Sequence, residues 1–278
     1  MPTIPAEPAP PAGEQPHQHR EMAESFGTDA ERYDRARPRY PQALVDRIAA
    51  APGPAVVDVG CGTGIAARQF AAAGRTVLGV EPDPRMARTA RELGTEVEVA
   101  TWEAWDPAGR EFDAVVAGQA WHWIDPVAGA AKAARVLRPG GLLAPFWNVP
   151  RYPARLAEAV AEVCGRVLPD APFDFRAMTR GALDGYQPIL AGTADGIRRA
   201  DAFGEPEQWR FDWEWDYTRD AWLDQMPTQG AFTRLEPAAL GEVLAGVGAA
   251  IDAMGGGFTM SYSTVAVTAA RTGAARPG

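Results

Sequence analysis

Three glycines at alternate positions, Gly60, Gly62 and Gly64, follow directly on the apolar run VVDV at 56–59. Glycine there lets the chain turn tightly from strand to helix and lets a ligand approach the main chain. Glu81 stands 21 residues after Gly60, at the end of the next apolar run, TVLGVE. A carboxylate at that point of a nucleotide-binding sheet accepts hydrogen bonds from both hydroxyls of an adenosine ribose, and its charge disfavours a 2′-phosphate. Asp58 lies just inside the first run. An acid there is costly unless it is hydrogen-bonded, either to loop amides or to a ligand's amine.

A further group, QAWHW at 119–123, follows the apolar segment FDAVVAG. Ligands of open α/β sheets gather beyond the carboxyl ends of the strands, which is where this group falls. His122 is the only histidine outside the first 20 residues. It is either a general base with a pKa near working pH, or a structural residue that shapes the pocket. Trp121 and Trp123 flank it, and Trp147 ends a later run. These indoles form an aromatic rim for a cation or a flat substrate, or they pack in the core. His17 and His19 lack neighbours that would complete a metal site, and none is expected.

The glycine run also narrows the ligand. A dinucleotide fingerprint fits Gly62, Gly64 and Ala67 only if it starts two residues late, and from Gly60 its third glycine falls on Ile65. A phosphate loop would need Gly-Lys-Ser/Thr, which does not follow.

The elements that position these residues alternate. Strands are predicted at 55–59, 76–81, 96–102, 112–118 and 141–149, with helices over 42–50, 64–73, 83–94 and 126–141 between them. Such alternation implies a parallel sheet with helices on both faces. Beyond it come a helix at 152–168, a segment of mixed pattern at 169–200 that suits a lid or cap, and helices at 219–227 and 237–253. STVAVTAA at 263–270 reads as a last strand, returning to the sheet's edge in an antiparallel pair. In WRFDWEWDY, Trp209, Phe211, Trp213, Trp215 and Tyr217 share one parity and therefore one strand face. Three acids and one arginine occupy the other face, against an RNA-binding sheet and in favour of packing under a cap or at a dimer contact.

Composition sets the outer bounds. The chain has 278 residues, 46% of them apolar, and a net charge of −9, which disfavours nucleic acid as a partner. The two cysteines suggest no disulfide framework, and no apolar run is long enough to insert in a membrane. A cytoplasmic monomer or homodimer is expected. The expected organisation is a disordered proline-rich tail (1–20), N-terminal lid helices (21–51) and a nucleotide-binding core (52–150). A helix, cap and aromatic strand (151–217), closing helices and a final strand (218–272), and a tail (273–278) complete it.

Taken together, VVDVGCGTG at 56–64, GVEPDPRM at 79–86, TWEAW at 101–105, FDAVVAGQAWHW at 112–123 and LRPGG at 137–141 resemble the motifs of one family. It is the class I S-adenosylmethionine-dependent methyltransferases, in the small-molecule branch of the ubiquinone/menaquinone and trans-aconitate enzymes. AERYDRARPRYP at 30–41 is similar to the leader of that branch, and TQGAFTRL at 228–235 to its C-terminal region. The resemblance is strong over 24–148 and implies a Rossmann-like seven-stranded α/β sheet, mostly parallel, with a small cap. It also implies S-adenosylmethionine as cofactor and S-adenosylhomocysteine as product.

By the same resemblance Gly60, Gly62 and Gly64 face the methionine portion, Asp58 helps organise its amino group through loop or water contacts, and Glu81 takes the ribose. Met86, Trp102 and Glu103 surround the adenine, although tryptophan replaces the family's usual alanine at 102. Tyr33 approaches the methionine end, and Gln119 joins the cofactor set. Tyr40 closes the site with Tyr33, and Arg37 pairs with a carboxylate of substrate or cofactor, or with a surface acid. Trp121, His122, Trp123 and Trp147 complete the substrate side. The expected activity is methyl transfer to an oxygen, nitrogen or carbon of a small, specialised metabolite. Three alternatives stay open: a peptide methyltransferase, a nicotinamide-dependent oxidoreductase, and a non-catalytic scaffold on the same fold.

Overall fold

The computed structural model describes residues 26–169, 175–176 and 182–273. The tail at 1–20 with His17 and His19, parts of the expected cap between 170 and 181, and the end at 274–278 lie outside the described residues. Five apolar segments form parallel strands: β1 (Ala55–Val59), β2 (Thr76–Glu81), β3 (Glu96–Val99), β4 (Phe112–Gly118) and β5 (Leu137–Arg151). With β6 (Glu207–Thr218) and β7 (Gly257–Ala270) they build a seven-stranded sheet of order β3-β2-β1-β4-β5-β7-β6. β7 runs antiparallel to both β5 and β6.

The two-residue period of β1 divides the core. Val57 and Val59 join a cluster with helices α5 (Pro126–Val136) and α7 (Ala182–Arg199). Val56 joins the opposite layer, with Leu44 and Ile48 of α2 (Gln42–Ala49) and Phe70 of α3 (Ile65–Ala72). Asp125 caps α5 by accepting from the amides of Val127 and Ala128 at 3.0 and 2.7 Å, with Pro126 in the first turn. Asp83 does the same for α4 (Pro84–Glu92), accepting from Arg85. These caps fix where each helix leaves the strand before it.

A second core covers the antiparallel end. Leu156 and Val160 of α6 (Ala154–Val167) and Val243 and Ile251 of α9 (Pro237–Ala253) pack with Trp222 of α8 (Arg219–Gln225), Met260 and Tyr262. The aromatic face of β6 lies in these layers. Arg47 stacks over Trp209 at 3.9 Å, Trp213 stacks on Tyr262 at 4.6 Å, and Tyr217 meets Trp222 at 5.1 Å. The covering elements are thus α2 and the second core; Trp215 alone of the five is left exposed.

Three boundaries differ from expectation. The last strand begins at Gly257 and lies between β5 and β6, so the edge belongs to the aromatic strand. The helix expected to 141 stops at Val136, because Pro139 lacks an amide and restricts its predecessor; β5 starts at Leu137, with a register shift across the RPGG segment. β3 ends at Val99, and the chain then turns so that Trp102 enters the core.

Helix α7 occupies the second half of the segment expected to form a cap. Leu190 and Ile197 are fully buried in the same cluster as β1 and β5. A cavity-forming change there weakens the whole fold. Leu190→Ala should shift the main urea transition by about 2–5 kcal/mol, whereas an unchanged main transition with a separate early phase would mean that α7 is detachable.

Candidate active site

The strand ends β1, β2 and β4 and the leader converge on one cavity of about 470 Å³, within the range of small-molecule sites. Gly60, Gly62, Glu81, Met86, Trp102 and Glu103 line one end. Gly60 and Gly62 have φ of +63° and +57°, and a Cβ on Gly60 would sit 2.5 Å from that of Ala120. The backbone conformation and the close approach both require glycine.

Glu81 holds this end together. One oxygen accepts from the Gly62 amide at 2.8 Å and the other from the Asp83 amide at 2.9 Å. Each oxygen retains a lone pair for a ligand. Burial pushes the carboxyl up to about 7, although the two amides pull it down. Asp58 is different. It is 1% exposed, behind the glycine loop, and does not line the cavity. Burial, with the charge of Glu81, raises its carboxyl to about 8, although the Ala67 amide pulls it down. Asp58 thus faces the glycine loop and not the cavity. Gly64 likewise lies off the cavity, as the N-cap of α3.

The leader closes over the loop. Asp34, in α1 (Ala30–Ala36), accepts from Thr63 Oγ1 at 2.7 Å and from Arg68 at 2.5 Å, while Arg32 and Arg35 bind Asp224 of α8. This places Tyr33 and Arg37 in the cavity wall. Tyr40 does not reach it; its ring meets Phe146 edge-on at 4.7 Å.

The strand after Gly118 supplies the middle of the cavity. Gln119 has φ of +59°, uncommon for a residue with a side chain and typical of a constrained site, and donates to the Asn148 carbonyl at 3.1 Å. His122 and Trp123 line the wall, whereas Trp121 and Trp147 are fully buried core residues off it. Trp147 still reaches the site through its indole N–H, which donates to His122 Nδ1 at 3.1 Å. An indole only donates, so Nδ1 holds a lone pair and the ring proton sits on Nε2. Burial pushes the imidazole down to about 4. With Nδ1 engaged by the indole, the neutral ring presents Nε2–H.

Trp102 is also turned inward. It stacks on Trp105 at 5.4 Å and donates to the Gly129 carbonyl at 3.2 Å, which leaves part of the indole on the cavity. Glu103 is exposed at the rim. The far end is lined by side chains the motifs did not indicate, among them Asn148, Tyr152, Tyr186, Trp222, Gln225 and Tyr262. The parity of the β6 aromatics hinted at one apolar face, but nothing local marked which elements would meet there.

A family model described as a methyltransferase domain matches residues 57–144, from β1 into β5. An uncharacterised methyltransferase of Mycobacterium tuberculosis H37Rv is 35% identical over 155 residues, covering 53% of this chain and 61% of the relative. Ubiquinone biosynthesis O-methyltransferase of Thiobacillus denitrificans is 33% identical over 149 residues, covering 50% and 63%. The matches span about three fifths of the length of these curated relatives. Among solved structures, a protein classed as a type II methyltransferase from Anaeromyxobacter dehalogenans aligns with a TM-score of 0.60 at 26% identity, covering 84% of this chain and 97% of the other. A protein solved for the conversion of a disulfide bond into a thioacetal group in echinomycin biosynthesis shares the fold, with a TM-score of 0.54 at 19% identity over 91% and 94% of the two chains.

The strand order with its antiparallel β7 is the class I Rossmann-like methyltransferase sheet, whose cofactor is S-adenosylmethionine. The lining of the cavity fits that cofactor's nucleoside. Glu81 has lone pairs for two hydroxyls, and Met86 and Trp102 offer apolar walls beside it. Among the described residues no group of three or more His, Cys, Asp or Glu could hold a metal ion, and no helix is long and apolar enough to cross a membrane.

Asp58 and Glu81 keep their protons to higher pH in the fold than in an unfolded chain, where carboxyls titrate near 4. The folded protein therefore binds more protons between about pH 4 and 8, and stability falls as pH rises through that window. Asp58→Asn should match the wild type at pH 5 and exceed it at pH 8 by on the order of 2 kcal/mol, about 4–8 °C in Tm. Parallel Tm-versus-pH curves for the two ligand-free proteins would refute the assignment.

Proposed function

We propose that this chain transfers the methyl group of S-adenosylmethionine to an oxygen, nitrogen or carbon of a small organic molecule, in the branch of the ubiquinone-type methyltransferases. The observation that carries this is the continuity of the cavity, from the Glu81 end to the tyrosine-lined end past His122. When bound, the cofactor supplies an electrophilic methyl on a sulfonium. The protein's part is to bind, orient and exclude water.

Glu81 and the Gly60–Gly62 backbone hold the nucleoside and methionine side, with Met86, Trp102, Glu103 and Gln119 around them. The leader acts as a lid, fastened to the loop through Asp34 and Thr63. It brings Tyr33 into the cavity wall, and the ring of Trp123 presents an aromatic face suited to a cation. His122, held by Trp147, presents Nε2–H and so donates a hydrogen bond to the acceptor. A nucleophile that ionises readily or is already neutral and basic suits such a site. The acidic overall charge favours a small molecule over nucleic acid.

Calorimetric titration with S-adenosylhomocysteine tests the cofactor role. Glu81→Ala should lose about 2–4 kcal/mol of binding, roughly 30- to 1000-fold in Kd; equal affinity in the variant would contradict it. The histidine role is read by NMR of 15N-labelled protein. His122 should keep the Nε2–H form from pH 5 to 9, and a titration near 6.5 would restore the base.

A further inference from the structure

The leader and the turn after it carry four arginines, and three of them have a carboxylate. Arg32 and Arg35 pair with Asp224 at 3.1 and 2.9 Å, and Arg39 reaches Asp34 at 3.6 Å. Arg37 has no ion-pair partner among the described residues. Its Nη2 donates to the Thr228 carbonyl, and its guanidinium carbon lies 4.8 Å from the centre of the Tyr33 ring. Its Nε is buried with no hydrogen-bond partner among the described residues. A buried donor left unpaired costs free energy that a ligand can recover.

The charge is also placed at one end. The carboxylates that line the cavity, Glu81, Asp83 and Glu103, stand at the nucleoside end, and Asp83 is already bound to Arg85 at 2.7 Å. At the other end the lining side chains around Arg37 are neutral: Tyr152, Tyr186, Tyr262, Trp222, Gln225 and Gln229. Burial raises the phenols of Tyr152, Tyr186 and Tyr262, and the Arg37 charge pulls each of them down, so its field falls on that end. A cation without an internal counter-ion, facing a neutral aromatic chamber, selects an anion there. Guanidinium is suited to a carboxylate, which it can bind through parallel N–H donors.

We infer that Arg37 receives a carboxylate of the methyl acceptor, so that the substrate class is a small organic acid whose apolar or flat body lies among the tyrosines. This rests on the methyl-transfer reading above. A carboxylate at Arg37 could come from the acceptor or from the methionine portion of the cofactor; the bond of Arg37 to the Thr228 carbonyl, beside the cavity-lining Gln225 and Gln229, assigns it to the acceptor.

The test uses wild type, Arg37→Gln and Arg37→Lys, each checked for an unchanged melting profile. In one arm S-adenosylhomocysteine is titrated into each protein. In the other, a panel of small aromatic and aliphatic carboxylic acids, each with its own carboxamide, is titrated into wild type and variants with and without S-adenosylhomocysteine. The expected result is at least one acid bound tenfold or more tightly than its amide, a preference lost in Arg37→Gln and partly kept in Arg37→Lys. S-adenosylhomocysteine affinity should change by less than about threefold. No acid preference across the panel in wild type, or a preference that survives in Arg37→Gln, overturns the inference. A tenfold loss of S-adenosylhomocysteine affinity in Arg37→Gln overturns it in favour of the cofactor's own carboxylate. If wild type binds no S-adenosylhomocysteine, the methyl-transfer reading fails instead, and the acid arm without it still reports on Arg37. Should Arg37→Gln fail to fold, the weakened acid preference of Arg37→Lys decides the matter.

Discussion

The carboxylate of Glu81 fixes the geometry on which the site depends. It sits at the end of β2, buried, and spends one hydrogen bond on the glycine loop and one on the cap of α4. The glycine loop, 19 residues earlier, and the cap of α4, two residues on, are thereby both fixed to the end of β2. A buried carboxylate with only two neutral donors is not fully stabilised, which is why its proton is held toward neutral pH. Hydroxyl donors from a ribose would complete its coordination. The same feature that makes the ligand-free site costly thus makes it receptive.

Around that point the protein builds an enclosure from both ends of the chain. The leader is attached on one side to the glycine loop through Asp34 and on the other to α8 through Asp224. The pairs to Asp224 are half-exposed and contribute little individually, whereas the bonds of Asp34 to Thr63 and Arg68 are partly buried. The antiparallel strands and their covering helices form a second core, from which Tyr262 and Trp222 reach the cavity. The ends of the cavity differ accordingly: acids and backbone amides at one, aromatic rings and a lone arginine at the other.

Much of the first end was legible in the sequence. Valine-rich runs, glycines and a strand-end acid report local geometry, and β1, β2 and β4 fall where the pattern put them. Individual roles were less legible. Asp58 and Gly64 belong to the motif, but neither lines the cavity: Asp58 alternates on β1 with Val59, which does line it, and Gly64 is the N-cap of α3. Trp121 and Trp147 flank the site in sequence yet fill the core, where large rings gain most from burial. The tyrosine-lined end was not legible, since Tyr152, Tyr186 and Tyr262 come from the turn after β5, from α7 and from β7, brought together only by tertiary packing. The edge position of β6 was equally hidden: strand order is a property of pairing, which no single segment encodes.

The most direct test of the account is a crystal structure of the protein with S-adenosylhomocysteine. The account predicts both ribose hydroxyls on the Glu81 carboxylate, with its bonds to the Gly62 and Asp83 amides intact and the leader in place. A nucleoside bound elsewhere in the cavity, or a Glu81 side chain turned away from it, would contradict the central claim.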